Sequence, residues 1–113
     1  MREILFKAKR LDNGEWVEGS LFVEGNITEI IRSTCNIIGI EGVDVNPETV
    51  CQYTGLKDKK GNKIFENDCI GHRLNKVEFL NGEWCVNGDR PLFSFANNCE
   101  VIGNVFDIES FAR

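Results

Sequence analysis

An all-β domain of antiparallel strands and hairpins is predicted by three features of this sequence. Short apolar runs are separated by Gly, Asn and Asp turn signals every ~8–12 residues. Apolar and polar residues alternate with a period of two. The runs are rich in Val, Ile, Thr and aromatic residues, which suit a pleated, half-buried surface. At 113 residues the chain is sized for one domain. A chain of this length buries roughly 65% of its unfolded surface, enough for a core without metal or disulfide support. With 42% hydrophobic residues it is not composed like a disordered segment.

Ile4, Phe6 and Ala8 alternate with Leu5, Lys7 and Lys9, giving a strand with one mostly buried face. Asp12-Asn13-Gly14 follows as a two-residue hairpin signal, because Asn-Gly supplies two positive φ values. Trp16 and Val17 begin the return strand, Gly19 is expected to break it, and Leu21 to Val23 resume it. Glu24-Gly25-Asn26 is a second turn, leading into Ile27 to Ile31. The β-branched content of Ile27 to Ile40 favours strand, with a short helical turn as the alternative. Gly39 to Asn46 reads as a surface loop.

Pro47 cannot donate to a ladder, so the next strand is expected to start near Glu48 or Thr49. Val50, Gln52 and Thr54 alternate with Cys51, Tyr53 and Gly55. From Lys57 to Asn62 the chain offers Asp58 to close a turn and Gly61-Asn62 to take positive φ. Ile64-Phe65 resumes the apolar run. Glu66-Asn67-Asp68 makes a tight turn with Asn67 left-handed, and Cys69-Ile70 re-enters a strand. Val77 to Val86 is another Asn-Gly hairpin. The string Asn-Gly-Glu-Trp thus occurs at Asn13 and again at Asn81; two hairpins reaching the same turn solution account for it more simply than duplication. Pro91 to Phe95 and Glu100 to Phe106 supply the last strands, Asn97-Asn98 turning between them, and Ile108 to Phe111 suits a short helical turn. The strand lengths from Ile64 to Val105 suggest that the C-terminal half closes as a small SH3-like barrel.

The stretch from Pro47 to Ile70 resembles a motif of the YopX family of phage and prophage proteins. The matching residues are Pro47-Glu48-Thr49-Val50, the run Gln52-Tyr53-Thr54-Gly55-Leu56-Lys57-Asp58, then Gly61, Ile64-Phe65-Glu66 and Asp68. The likeness extends to Met1-Arg2-Glu3-Ile4, Phe6-Lys7-Ala8, Asn13 to Val17 and Glu100 to Phe106, so it spans most of the chain. Cys51 stands where glycine is usual, and Asn67-Asp68-Cys69-Ile70 replaces the common Gly-Asp-Ile-Val. The resemblance implies a single domain over 1–113, with an N-terminal β part at 1–46 and the central motif and barrel-like part at 47–113. It also implies a phage or prophage origin, and it brings no established activity.

A formal net charge of −5 runs against a general nucleic-acid binder. The five cysteines, at positions 35, 51, 69, 85 and 99, form no Cys-x-x-Cys pair. Arg2, Glu3 and Lys7 interrupt any apolar leader, and no apolar run approaches ~18 residues. These features lead to the expectation of a reduced, cytoplasmic protein with cysteines used as small apolar residues, and the resemblance implies that the cytoplasm is that of a bacterial host.

Four constellations bear on chemistry. Cys69 and His72 would need hydrogen-bond reach to form a nucleophile pair, yet residues three apart in a strand face opposite ways; Cys-x-x-His also lacks a second ligand pair for zinc. Glu48, Asp58, Glu66 and Asp68 are candidate acid–base or cation groups, but Asp58 and Asp68 sit where turns need a side-chain acceptor. Lys57, Lys59, Lys60 and Lys63, with Arg73 and Lys76 further on, form a basic cluster beside Tyr53 and Phe65. It is suited either to phosphate contact with base stacking or to a solvated hairpin tip. Trp16, Trp84, Phe93 and Phe95 are expected in the core. The reading is a non-enzymatic interaction module without cofactor or metal, acting on a host or phage protein. The alternatives are a nucleic-acid accessory protein using residues 57–63 and self-assembly through sheet edges.

Overall fold

Alternating side chains build antiparallel ladders throughout the computed structural model, which describes residues 3–33, 40–71, 75–88, 90–94 and 96–107. The chain divides into two units, Met1–Gln52 and Tyr53–Arg113. Among the described residues the only helical turns are three short 3₁₀ turns. None is long and apolar enough to cross a membrane.

In the first unit, Phe6–Lys9 (β1), Trp16–Glu24 (β2), Ile27–Ser33 (β3) and Ile40–Asp44 (β4) pair in succession. Cys51 and Gln52, the start of β5 (Cys51–Lys57), pair with Lys7 and Phe6 on the other side of β1. Register puts Ala8 opposite Val17, and Ile30 opposite both Leu21 and Val43. The period of two thereby turns one face inward. Ala8, Val17, Ile30, Val43 and Val45 form the core, flanked by Phe6, Leu21 and Val50, and full burial of each Val or Ile is worth about 1.5–3 kcal/mol. A bridge between Arg10 and Val45 ties the end of β1 to the end of β4. It is reinforced by the Leu11 N–H on Asp44 O (3.1 Å) and the Asn46 N–H on Lys9 O (2.8 Å).

Four local expectations are corrected here. The connection after β1 is a four-residue loop, closed by the Arg10 N–H on Glu15 O at 2.8 Å, rather than a two-residue Asn-Gly turn. Asn13 accepts the Glu15 N–H on its side chain at 2.9 Å, and only Gly14 takes positive φ. Gly19 does not break β2. A Cβ there would collide with the Ile31 carbonyl oxygen and lie 2.9 Å from Ile30 Cγ2, so glycine lets β3 approach and the strand run on. The expected loop of Gly39 to Asn46 is strand from Ile40 to Asp44, because Val43 and Val45 alternate into the core. Pro47–Thr49 is a 3₁₀ turn instead of a strand start: Asn46 caps it by accepting the Glu48 N–H at 3.0 Å, and Pro47 fits its first turn. Of the stretch Ile27 to Ile40, residues 27–33 are strand, and 34–39 lie outside the described residues.

The second unit contains the rest of β5, then Lys63–Phe65 (β6), Asp68–Ile70 (β7), Asn75–Leu80 (β8), Glu83–Val86 (β9), Arg90–Pro91 (β10) and Val101–Asn104 (β11). β6 pairs with β5, and the others form a sheet in the order β10-β9-β8-β7-β11. Ile64, Ile70, Val77, Val86, Leu92 and Ala96 are its core, with Leu56, Trp84, Cys99 and Val101 packed against them. Between the pairs Tyr53–Phe65 and Lys57–Lys63 the register shifts. Thr54, Gly55 and Leu56 there oppose Ile64 alone, with Gly55 at φ +88°. The Thr54 hydroxyl holds this bulge, donating to Ile64 O at 2.8 Å and accepting the Leu56 N–H at 3.1 Å.

Among the described residues the sheet is not closed into the expected SH3-like barrel. The sheet is open, with β10 and β11 at opposite edges, because β6 takes β5 as its ladder partner while β7 takes β8 and β11. Nor do residues 92–94 continue the strand expected from Pro91. β10 stops at Pro91, Leu92–Ser94 and Ala96–Asn98 are 3₁₀ turns, and Leu92 enters the core. Asn81-Gly82 is the two-residue turn expected, with φ +52° and +85° between the paired Leu80 and Glu83. The repeated tetrapeptide therefore adopts two different turns. Phe95 and Ile108 to Phe111 lie outside the described residues.

Candidate functional site

The polar residues of the central motif converge on backbone groups. Asp58 is buried and accepts four hydrogen bonds. Its Oδ1 takes the N–H groups of Lys60 and Asn62, both at 2.9 Å, while Oδ2 takes the Val101 N–H at 2.9 Å and Asn62 Nδ2 at 3.2 Å. Burial alone would lift its pKa. The donors on Val101, Asn62 and Lys60 outweigh that and hold it below the ordinary carboxylate value. Asp68, only 1% exposed, accepts the Phe65 N–H at 2.8 Å and Asn104 Nδ2 at 2.9 Å. Asn104 in turn accepts the Phe106 N–H at 3.1 Å. Asn67 is left-handed at φ +68°, as expected. Its N–H donates to Val77 O at 2.8 Å, and its carbonyl accepts the Val105 N–H at 2.9 Å. These groups brace turns. Glu48 is exposed in the first unit.

Among the described residues Cys51, Cys69 and Cys85 are buried and Cys99 is half-buried, none of them in a disulfide. Burial, then the charge of Asp68, pushes the Cys69 thiol up against the opposing pull of Lys76. A thiol held protonated is a poor nucleophile. His72, its proposed partner, lies outside the described residues, as do Arg73 and Cys35. Among the described residues no three His, Cys, Asp or Glu side chains are grouped to hold a metal ion.

A cleft of about 330 Å³ in the first unit is lined by Arg10, Leu11, Asp12 and Glu41 to Asp44. Two of its carboxylates are engaged, Asp12 by Arg10 at 2.9 Å and Glu41 by Arg32 at 2.7 Å. A cleft of about 240 Å³ in the second unit is bordered by Lys59, Cys99 and Glu100.

The lysine cluster is divided. Lys60 pairs with Glu100 at 2.7 Å and Lys76 with Glu78 at 3.4 Å. Lys57 and Lys59 are exposed, and Lys63 is half-buried. Tyr53 is not on the surface with them: it is buried with its ring 5.6 Å from Phe65. The stacking platform expected beside the lysines is thus part of the interior.

Sequence reasoning missed an exposed aromatic end on the β8–β9 hairpin. Phe79 and Trp84 stand opposite each other on the face that carries Val77 and Val86 inward. Their rings meet edge-on at 4.9 Å. Phe79 is nevertheless 52% exposed, Leu80 beside it is exposed, and Phe93 is 71% exposed. The signal was available: Val77, Phe79 and the Asn-Gly turn make the apolar face continue past the core to the hairpin tip. Trp84 is half-buried. Trp16 is also half-buried and lies under two cations, with Lys7 Nζ at 4.5 Å and Lys9 Nζ at 5.4 Å from its ring centre.

In comparison with known families, a family model described as YopX protein matches residues 5–108. No curated protein matches the chain.

Proposed function

The chain belongs to the YopX protein family, and from that premise we propose that it is a phage- or prophage-encoded protein-interaction module. On this reading it works without catalysis in the cytoplasm of the bacterial host, on a host or phage protein. The observation that carries the proposal is the exposed Phe79 against Trp84 at the end of the β8–β9 hairpin. An aromatic left half in water gains from a partner that covers it, and buried aromatic anchors dominate protein interfaces. The polar interior supports the same reading, since Asp58, Asp68 and Asn104 are committed to backbone donors and to each other.

The test is affinity capture from nuclease-treated, phage-infected cells with the wild type and with Phe79→Glu. A protein retained by the wild type is expected to bind the variant at least about 30-fold more weakly, the loss of one hot-spot residue. Folding should weaken by only about 1 kcal/mol, since the lost aromatic pair is half-exposed. An identical captured set from both proteins would remove this surface from consideration.

A further inference from the structure

Lys57 and Lys63 stand directly opposite one another in the β5–β6 ladder. Directly opposed residues have Cβ atoms about 5 Å apart, and like charges so placed repel. Elsewhere in the same unit lysines are matched with acids, Lys60 with Glu100 and Lys76 with Glu78. Lys57, Lys59 and Lys63 have no ion pair among the described residues. Lys63 is also half-buried. Three ammonium groups with no ion pair among the described residues, on one short hairpin, are a local excess of positive charge in a chain of net charge −5.

The backbone that carries them is held firmly. Asp58 sits between Lys57 and Lys59 and gathers the turn's N–H groups, tying the turn to β11 through the Val101 N–H. The Lys59 N–H donates to Cys99 O at 2.9 Å. An anion meeting this hairpin therefore orders little besides three side chains, which keeps the entropic cost of binding low.

We propose that Lys57, Lys59 and Lys63 form a site for the phosphodiester backbone of nucleic acid. Phosphate oxyanions between Lys57 and Lys63 would turn their repulsion into shared attraction. Base identity is not read, because Tyr53 is packed inside against Phe65 and offers no stacking surface. The site is separate from the aromatic hairpin end, so either can fail without the other.

The experiment is fluorescence anisotropy of a labelled oligothymidylate with the full chain over a salt series. Three neutralised phosphates predict a roughly twentyfold loss of affinity between about 50 and about 200 mM salt. Lys57→Gln/Lys63→Gln is expected to weaken binding at low salt at least about tenfold, while the charge-matched Lys76→Gln/Arg90→Gln stays within about threefold. Oligoadenylate should bind as oligothymidylate does. No binding by the wild type at low salt, or equal losses in the two double variants, would overturn the proposal.

Discussion

Replacing Asp58 by alanine is expected to destabilise the protein by roughly 3–4 kcal/mol, measured as a lower urea midpoint at unchanged m. The carboxylate accepts from Lys60, Asn62 and Val101, and removal leaves three backbone donors without it. Each charge-assisted bond contributes about 1.5–3 kcal/mol, and water reaching the exposed turn recovers part of the sum. The effect should depend on pH in a defined sense. Asp58 has a folded pKa below its unfolded value despite its burial. Its contribution is therefore complete above the unfolded value, about 4, and is lost as pH falls through the lower folded value. The gap between wild type and Asp58→Ala should be constant near neutrality and narrow in acid. A gap that is the same at both ends would mean that the ionised form is not what those amides bind.

The second large effect is expected at Asp68. Alanine there removes the acceptor of the Phe65 N–H and leaves the Asn104 amide only its longer bond to Glu66 O at 3.4 Å, in a site 1% exposed. The cost is again roughly 3–4 kcal/mol, with Asp68→Asn recovering part of it through its remaining oxygen. Asn104→Ala combined with Asp68→Ala should show a coupling of about 1–2 kcal/mol, because each single change already removes the hydrogen bond that the two side chains share. Independent losses that simply add would show that the two side chains do not act as a pair. Stability unchanged in Asp68→Asn and Asp68→Ala would remove the turn-bracing role altogether.

Much of this was legible in the sequence because turns are local chemistry. Asp58, Gly61, Asn67 and the Asn81-Gly82 pair hold positions that their backbone preferences announce, and the structure finds them there. The readings that failed depend on partners far along the chain. Gly19 looks like a strand breaker until Ile31 is known to lie against it. Gly42 and its neighbouring acids look like a loop until Val43 and Val45 meet the core. Asn13-Gly14 and Asn81-Gly82 are the same dipeptide, yet the first closes a longer loop because Asn13 bonds Glu15 through its side chain. The open sheet follows from β6 pairing with β5, a choice that strand lengths do not encode. The same limit applies to the site. The lysines of residues 57–63 are plain in the sequence, but that Tyr53 turns inward and that Lys57 faces Lys63 emerges only from register and burial.

Amide hydrogen exchange in the native state, followed residue by residue by NMR, tests the bracing of the central motif most directly. The Phe65 N–H on Asp68 and the Val101 and Asn62 N–H groups on Asp58 have these carboxylates as their acceptors. They should exchange slowly in the wild type. Asp58→Ala should release Val101 and Asn62 well before Phe65, and Asp68→Ala should release Phe65 first. Fast exchange at these amides in the wild type would contradict the claim that the acids of the motif are there to hold its turns.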